Sequence, residues 1–496
     1  MKLMLIDPPV NSFTGFKKRG FPLGLCSLGS VIRDNTGLSV DVMDADKIID
    51  FDENVNFTDQ AKCFERYLTC INDPKHNVWQ QIRKLIFEKK PSVIGISTMT
   101  IQYASALKLA QLVKEIDSKC LVIMGGAHAS VMPDLMMQWP YVDLVVKGEG
   151  EDALLEIIKR KEAGNNLFQD IPGVIGRDFI TKVHDQPCEI KDLNALPIPD
   201  RSLLMNVEKY SSEDMGLIMT SRGCPYKCAY CSNYTRKVRS RSIENVIKEI
   251  CIVQSQYNTK QFLIKDDSFT VNKKRVAEFC DEIQKRKLKL NWECTTRLDL
   301  IDDDLIKKMK TSGCNRVAVG IESGDEEVLN MINKKMDKND IRKGVEVLKK
   351  NKMYWTGYFL IGMPMESREA IKKTVEFMQE LNPPYASVGV YKPYPGTKLY
   401  DKALELGIVD PDVSNDYFLK NNPVNYFLKD PLHRSIYICG AELDKIVFSV
   451  QGVFESHNKK IINLYRRAAS RIYLYSKDYS IFIRDLMIGF RWILKT

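Results

Sequence analysis

Short β-branched runs alternate with helical patterns along most of this chain, in two successive series, and that alternation restricts the fold more than any other feature. The first series fills roughly the first 160 residues. Its candidate strands are 2–7, 39–44, 92–97, 120–124 and 143–146, with helix-like stretches at 80–88, 101–115 and 151–161. Strands joined through helices pair in parallel, so residues 1–164 are expected to form an α/β domain with a doubly wound, Rossmann-like sheet. The second series has strands at 217–220, 261–264, 291–294, 316–319, 358–361 and 386–390, with long helical patterns at 243–256 and 273–286. Six such units predict a partial (β/α)6 barrel of TIM type over residues 215–410. Residues 165–214 break the periodicity and contain Leu196-Pro197-Ile198-Pro199, which marks a linker, while 411–496 read as a mainly helical extension.

Both architectures bind ligands at the carboxyl ends of their strands. In the first series these ends carry Asp7-Pro8-Pro9, Ser97-Thr98, Gly125-Gly126-Ala127-His128 and Gly148-Glu149-Gly150-Glu151, where glycines let the backbone approach a bulky ligand. The first strand of the second series runs into Cys224-Pro225-Tyr226-Lys227-Cys228-Ala229-Tyr230-Cys231, a C-x3-C-x2-C spacing. Three thiolates on one short loop can hold three irons of a [4Fe-4S] cluster and leave the fourth iron open to a ligand that is not protein. The alternatives are a zinc site, which usually takes four ligands in paired spacing, and three unrelated buried thiols. The spacing points to the cluster.

Composition excludes several classes. Thirteen cysteines among 496 residues, an odd number without regular spacing outside the loop, do not form a secreted disulfide framework. The N-terminus turns acidic at Asp7 after a few apolar residues, so it is neither a secretory signal nor a spanning helix, and a cytoplasmic location is expected. The formal charge is +9, yet residues 458–496 hold nine Lys and Arg against two Asp, which leaves the rest of the chain close to neutral. No nucleic-acid partner is therefore expected, and a metal-stabilised nucleic-acid-binding protein is the weakest functional reading.

On the cysteine motif and Gly148-Glu149-Gly150-Glu151, the chain resembles the cobalamin-binding radical S-adenosylmethionine family. Residues 1 to about 160 are similar to its cobalamin-binding domain and 215 to about 405 to its radical domain. The resemblance implies that Cys224, Cys228 and Cys231 hold a [4Fe-4S] cluster whose open iron is chelated by the amino and carboxylate groups of S-adenosylmethionine. Reductive cleavage of that sulfonium would give a 5′-deoxyadenosyl radical that removes a hydrogen atom from substrate. It also implies cobalamin contacts from Asp7, Pro8, Ser97, Thr98, Gly125, Gly126, Gly148 and Glu149. The first loop has no His of an Asp-x-His-x-x-Gly motif, so bound cobalamin would lack that axial ligand, and His128 reads as a hydrogen-bonding loop residue.

On the barrel, the resemblance implies Asp266 or Asp267 for the amino group of the sulfonium cofactor and Arg297 for its carboxylate. Glu322 and Ser323 would serve the ribose hydroxyls, with Gly362 and Tyr230 beside adenine. The plainer uses of such residues are a helix cap for an aspartate and a surface position for an arginine. The implied reaction is methylation of an unactivated carbon of a small-molecule or lipid-like substrate, fed by a reduced electron carrier such as flavodoxin or ferredoxin. The same architecture also supports radical rearrangement, dehydration or cyclisation.

Residues 411–496 carry no motif that points to a particular module. From 481 to 495, helical numbering sets Arg484, Arg491 and Lys495 in one narrow basic stripe, with Phe482, Leu486, Phe490 and Ile493 elsewhere. That stretch is too short to span a bilayer. It can pack on its own protein or lie on an anionic membrane surface.

Overall fold

The computed structural model describes residues 1–16, 20–50, 60–177, 187–233, 235–410, 412–430 and 433–477, with scattered positions up to 487. Two compact units emerge, one formed by Met1–Asp214 with Pro411–Tyr426 and the other by Met215–Asp410 with Phe427–Thr496.

The first unit is built on strands β1 (Lys2–Asp7), β2 (Ser39–Asp44), β3 (Val93–Ser97), β4 (Leu121–Gly125), β5 (Leu144–Val146) and β6 (Val174–Gly176), in the order β2-β1-β3-β4-β5-β6. The first five are parallel and β6 runs antiparallel to β5. Leu3, Met4, Leu5 and Ile6 of β1 are all buried, as a parallel strand covered by helices on both faces requires. Residues 165–214 do not form a free linker. They supply β6, bridge Gly148 through Cys188 and Val42 through Leu204, and so extend the first sheet. The short β6 run lacks the length that would reveal a strand by periodicity. Helix Asn415–Lys420 also belongs to this unit, where buried Phe418 packs perpendicular to Tyr103 with ring centroids 4.6 Å apart.

The second unit contains β7 (Leu217–Ile218), the small antiparallel pair β8 (Ser221–Arg222) and β9 (Arg239–Ser240), then β10 (Gln261–Ile264), β11 (Asn291–Thr296), β12 (Cys314–Glu322), β13 (Trp355–Ile361) and β14 (Tyr385–Val390). Its main sheet has the order β14-β13-β12-β11-β10-β7, parallel throughout, and is the six-stranded partial barrel. Helices follow the strands in alternation and start at side-chain caps, among them Ser242, Asn272, Asp302 and Asp337. Helix Gly440–Lys459 packs along the edge strand β14, where Asn458 accepts from the Ala386 N–H at 2.8 Å and donates to the Ala386 carbonyl at 2.7 Å. The amide side chain stands in for a seventh strand and satisfies an edge that an open barrel would otherwise leave unpaired.

Candidate active site

The β8–β9 pair closes the base of the cysteine loop, and three later strand connections hold its backbone in place. From the end of β10, Asp267 accepts from the Gly223 N–H at 3.1 Å and from Asn233 Nδ2 at 2.8 Å. From the connection after β12, the Ile332 carbonyl accepts from Ala229 N–H at 2.8 Å and Asn333 Nδ2 donates to the Lys227 carbonyl at 2.7 Å. From beyond β14, Leu399 N–H donates to the Ala229 carbonyl at 2.8 Å. Cys224, Cys228 and Cys231 are free and half-buried. Burial pushes the Cys224 and Cys231 thiols up, and the neighbouring thiols add to the rise, so ionisation there calls for compensating positive charge. Among the described residues, no three His, Cys, Asp or Glu side chains converge as ligands of a single ion. A four-iron cluster takes one iron per thiolate, so its three ligands need not converge on a single ion.

The acidic pair after β10 turns out to fasten the loop. Buried Asp266 accepts from Thr220 N–H at 2.6 Å, Thr220 Oγ1 at 2.5 Å and Ser221 Oγ at 2.6 Å, and burial raises its pKa. Both aspartates, read from sequence as acceptors for a cofactor amino group, thus spend hydrogen bonds on the chain itself. Arg297 meets a carboxylate, but it is that of Asp299, held bidentately with both contacts at 2.9 Å, while the guanidinium lies 3.7 Å from the Tyr226 ring centroid.

At the end of β12, Glu322 adopts φ +69°, a left-handed backbone unusual for a residue with a side chain. Its Oε1 accepts from Tyr230 Oη and Lys334 Nζ, each at 2.8 Å, and its carboxylate folds over Gly320. A Cβ on Gly320 would lie 2.4 Å from that oxygen, so the glycine is a steric requirement of the Glu322 conformation. The pairing also explains Tyr230, whose hydroxyl is pushed up by burial and by Glu322. Ser323 is fully buried, with Oγ 3.0 Å from Thr374 Oγ1 and accepting from Asp325 N–H at 3.1 Å. That network makes Ser323 a support of the turn.

Gly362, just past β13, has φ +77°. Its N–H and that of Met363 donate to Glu366 Oε2 at 2.6 and 3.2 Å. Glu366 is fully buried, its Oε1 has no hydrogen-bond partner among the described residues, and burial raises its pKa to about 7. Glu366 and Lys334 were absent from the sequence reading. A glutamate four residues past the strand-end glycine was the available signal for the first, whereas nothing local marks the second.

In the first unit, Asp7 Oδ1 accepts from Gln102 Nε2 at 2.8 Å, and the same amide lies 3.4 Å from the Pro8 carbonyl. Asp46, not anticipated, holds the first loop by accepting from Val10 N–H, Ser12 N–H and the Asn11 side chain. Ser97 and Gly125 end β3 and β4 in register, and Gly126 lies against the Thr98 backbone. Gly148 and Glu149 serve the chain: a Cβ on Gly148 would meet the Cys188 backbone at 2.5 Å, and Glu149 Oε2 accepts from Ile190 N–H at 2.6 Å. The segment 187–190 thus crosses over these two residues and braces them from within the chain. Thr98 Oγ1 and His128 Nε2 are buried without hydrogen-bond partners among the described residues, just past the ends of β3 and β4. His128 lies 3.1 Å from Thr100 Oγ1 through Nδ1, stacks near Tyr103, and is lowered to a pKa of about 3 by burial, so its ring is neutral. These orphaned polar atoms at a glycine-lined strand end fit a bulky polar cofactor.

Comparison with known proteins accords with this geometry. The radical SAM superfamily matches residues 218–378 and the B12 binding domain matches residues 14–158. An uncharacterized methyltransferase of Pyrococcus horikoshii is 30% identical over 462 residues, spanning 90% of this chain and 91% of that protein. The chain belongs to the cobalamin-binding radical S-adenosylmethionine family. As a member of that family, it takes a [4Fe-4S] cluster, S-adenosylmethionine and cobalamin. Other relatives of this radical enzyme include the cytidylyl-2-hydroxyethylphosphonate methyltransferase of Streptomyces wedmorensis, 26% identical with 83% of each chain covered. The anaerobic magnesium-protoporphyrin IX monomethyl ester cyclase of Rubrivivax gelatinosus is 28% identical, covering 65% of this chain and 60% of that protein. The fold of this chain matches that of the radical S-adenosylmethionine methyltransferase TsrM of Kitasatospora setae, with a TM-score of 0.63 at 18% identity over 82% of this chain and 76% of that one.

Proposed function

We propose that this enzyme methylates an unactivated carbon of a small-molecule substrate, with Cys224, Cys228 and Cys231 as the cluster ligands. The observation that carries the reading is the three free thiols on a loop braced from three other strand connections, at the start of a chain region matching the radical superfamily behind a B12 binding domain. The bound cofactors supply a carbon-centred radical and a transferable methyl group. The chain supplies position: Asp267 and Asn333 hold the cysteine loop, Glu366 holds the Gly362 turn, and the Tyr230–Glu322–Lys334 cluster fixes the loop against β12. Thr98 and His128 would offer polar atoms to a bound cobalamin, and the first loop carries no histidine that could serve as its ligand.

Anaerobic reconstitution followed by product analysis tests the reading. Methyl transfer yields S-adenosylhomocysteine together with 5′-deoxyadenosine; deoxyadenosine alone supports the second reading, a non-methylating cyclisation or rearrangement, which the cyclase relative favours. We further infer that an acidic reduced carrier, flavodoxin or ferredoxin in kind, delivers the electron at the cluster loop. There a cavity of about 270 Å³ is lined by Lys227, Arg236 and Lys398 beside Cys228 and Cys231. Among the described residues no helix is long and apolar enough to cross a membrane. The basic stretch 481–495 lies largely outside those residues, and peripheral contact with an anionic surface or a lipid-like substrate is a proposal that vesicle cosedimentation tests. A cytoplasmic location is proposed on the same footing.

A further inference from the structure

Helix Ile461–Ser470 of the second unit presents its apolar side to solvent. Its exposed residues are Ile461, Ile462, Tyr465, Ala468 and Ala469, all apolar or aromatic, and its one buried residue is Asn463. At 100° per residue those five fall within about 120° of one another, with Asn463 on the opposite side. A helix packed on its own core has the reverse order. Ile461 is 86% exposed, Tyr465 68%, and Ile472, which opens the following short helix, 63%. Polar contacts hold this orientation. Asn463 Nδ2 donates to the His457 carbonyl at 2.9 Å, and buried His457 donates through Nε2 to the Pro383 carbonyl, just before β14, at 2.7 Å. The amide is thereby committed inward, and the apolar arc is left outside.

The surroundings of the arc are cationic. Residues 458–477 hold six Lys and Arg and no Asp or Glu. Half-buried Lys459 and exposed Lys460 directly precede the helix, and neither makes an ion pair among the described residues. Arg466 flanks the arc, with Nη1 donating to Asn463 Oδ1 at 3.2 Å. A second copy of the same face would bring these like charges together around the apolar contact. An anionic lipid surface suits both features, because acyl chains take the apolar side chains while headgroups take the cations. We propose that Ile461, Ile462 and Tyr465 seat this enzyme on an anionic lipid bilayer, with Lys459, Lys460 and Arg466 at the headgroups. A helix of this length lies in the plane of the interface and does not span it. The seat is separate from the stretch 481–495, and the two are tested independently.

The test sediments the full-length reconstituted enzyme with phosphatidylcholine vesicles, pure or with about 25% phosphatidylglycerol. The enzyme is expected to bind the anionic vesicles, to bind the neutral ones several-fold more weakly, and to be released as salt rises. Ile461→Ser combined with Tyr465→Ser weakens binding by about tenfold or more, and Lys459→Gln combined with Lys460→Gln weakens it several-fold on anionic vesicles. Ile461 and Tyr465 are exposed, so the serine variant keeps its cluster and cobalamin. A second measurement needs no variant: anionic vesicles slow hydrogen exchange across 461–472. No binding by the wild type, wild-type binding by the serine variant, or unslowed exchange overturns the proposal. A dimer in vesicle-free solution that the serine variant dissolves overturns it too, because a second copy then covers the face. Binding that persists in both variants and is lost in Arg484→Gln with Arg491→Gln places the contact at 481–495 instead. Product analysis of methyl transfer is run without vesicles and is independent of each of these outcomes.

Discussion

Glu366 shows how much a single buried carboxyl can govern. Its pKa stands near 7 against an ordinary 4.5, so between those values the folded chain keeps a proton that the unfolded chain releases. Stability therefore falls as pH rises through that window, by on the order of 3 kcal/mol in total for this group. Glu366→Gln, neutral at every pH and still able to accept from Gly362 and Met363, is expected to flatten that fall in denaturant titrations run from pH 5 to 8. An unchanged slope would mean that the fall comes from other groups. Cys228 is the other decisive residue. Cys228→Ala is expected to lose the brown cluster absorbance and to reduce deoxyadenosine formation to background while cobalamin stays bound, because the thiol lies in the second unit and the B12-domain match in the first. At this scale the sequence was legible for the thiols, whose spacing is itself the ligand set. It was silent on the intrachain partners of Asp266, Ser323 and Glu149, which come from residues 220, 374 and 190.

Among elements, the edge strand β14 is where the partial barrel is most exposed to mispairing, and helix Gly440–Lys459 answers that through one side chain. Asn458→Ala leaves the Ala386 N–H and carbonyl buried and unpaired. We expect a loss of about 2 kcal/mol in global stability, with faster amide exchange confined to β14 and the adjoining part of β13. Exchange mass spectrometry reads both. Strand positions were largely visible beforehand: β1, β2 and β10 match their expected ranges, β11, β12, β13 and β14 run one to five residues longer, β3, β5 and β7 run one or two shorter, and β4 is shifted by one. The tail was not visible in this way. Helix Gly440–Lys459 spreads its large buried apolar side chains thinly, at Leu443, Val450 and Phe454, because its partner is one strand edge and not a broad core.

Taken whole, the molecule interrupts its first unit. The chain leaves that unit at Asp214, builds the second through Asp410, and returns with Pro411–Tyr426 before rejoining the second. Phe418 anchors the return against Tyr103 and His128. Phe418→Ala is expected to cost about 3–5 kcal/mol and to unfold the first unit before the second, so that cobalamin release precedes cluster loss on heating. Simultaneous loss of both cofactors would refute that order. The sequence by itself determined the two α/β series and the cluster loop, and it pointed to the cofactors, because strand period and thiol spacing are properties of a short stretch. Tertiary structure alone decided that Asp266 and Asp267 brace the cysteine loop, that Glu322 turns back over Gly320 to Lys334, and that 187–190 cross Gly148. Each of those pairings joins residues whose approach depends on sheet order and register, and no local pattern encodes these.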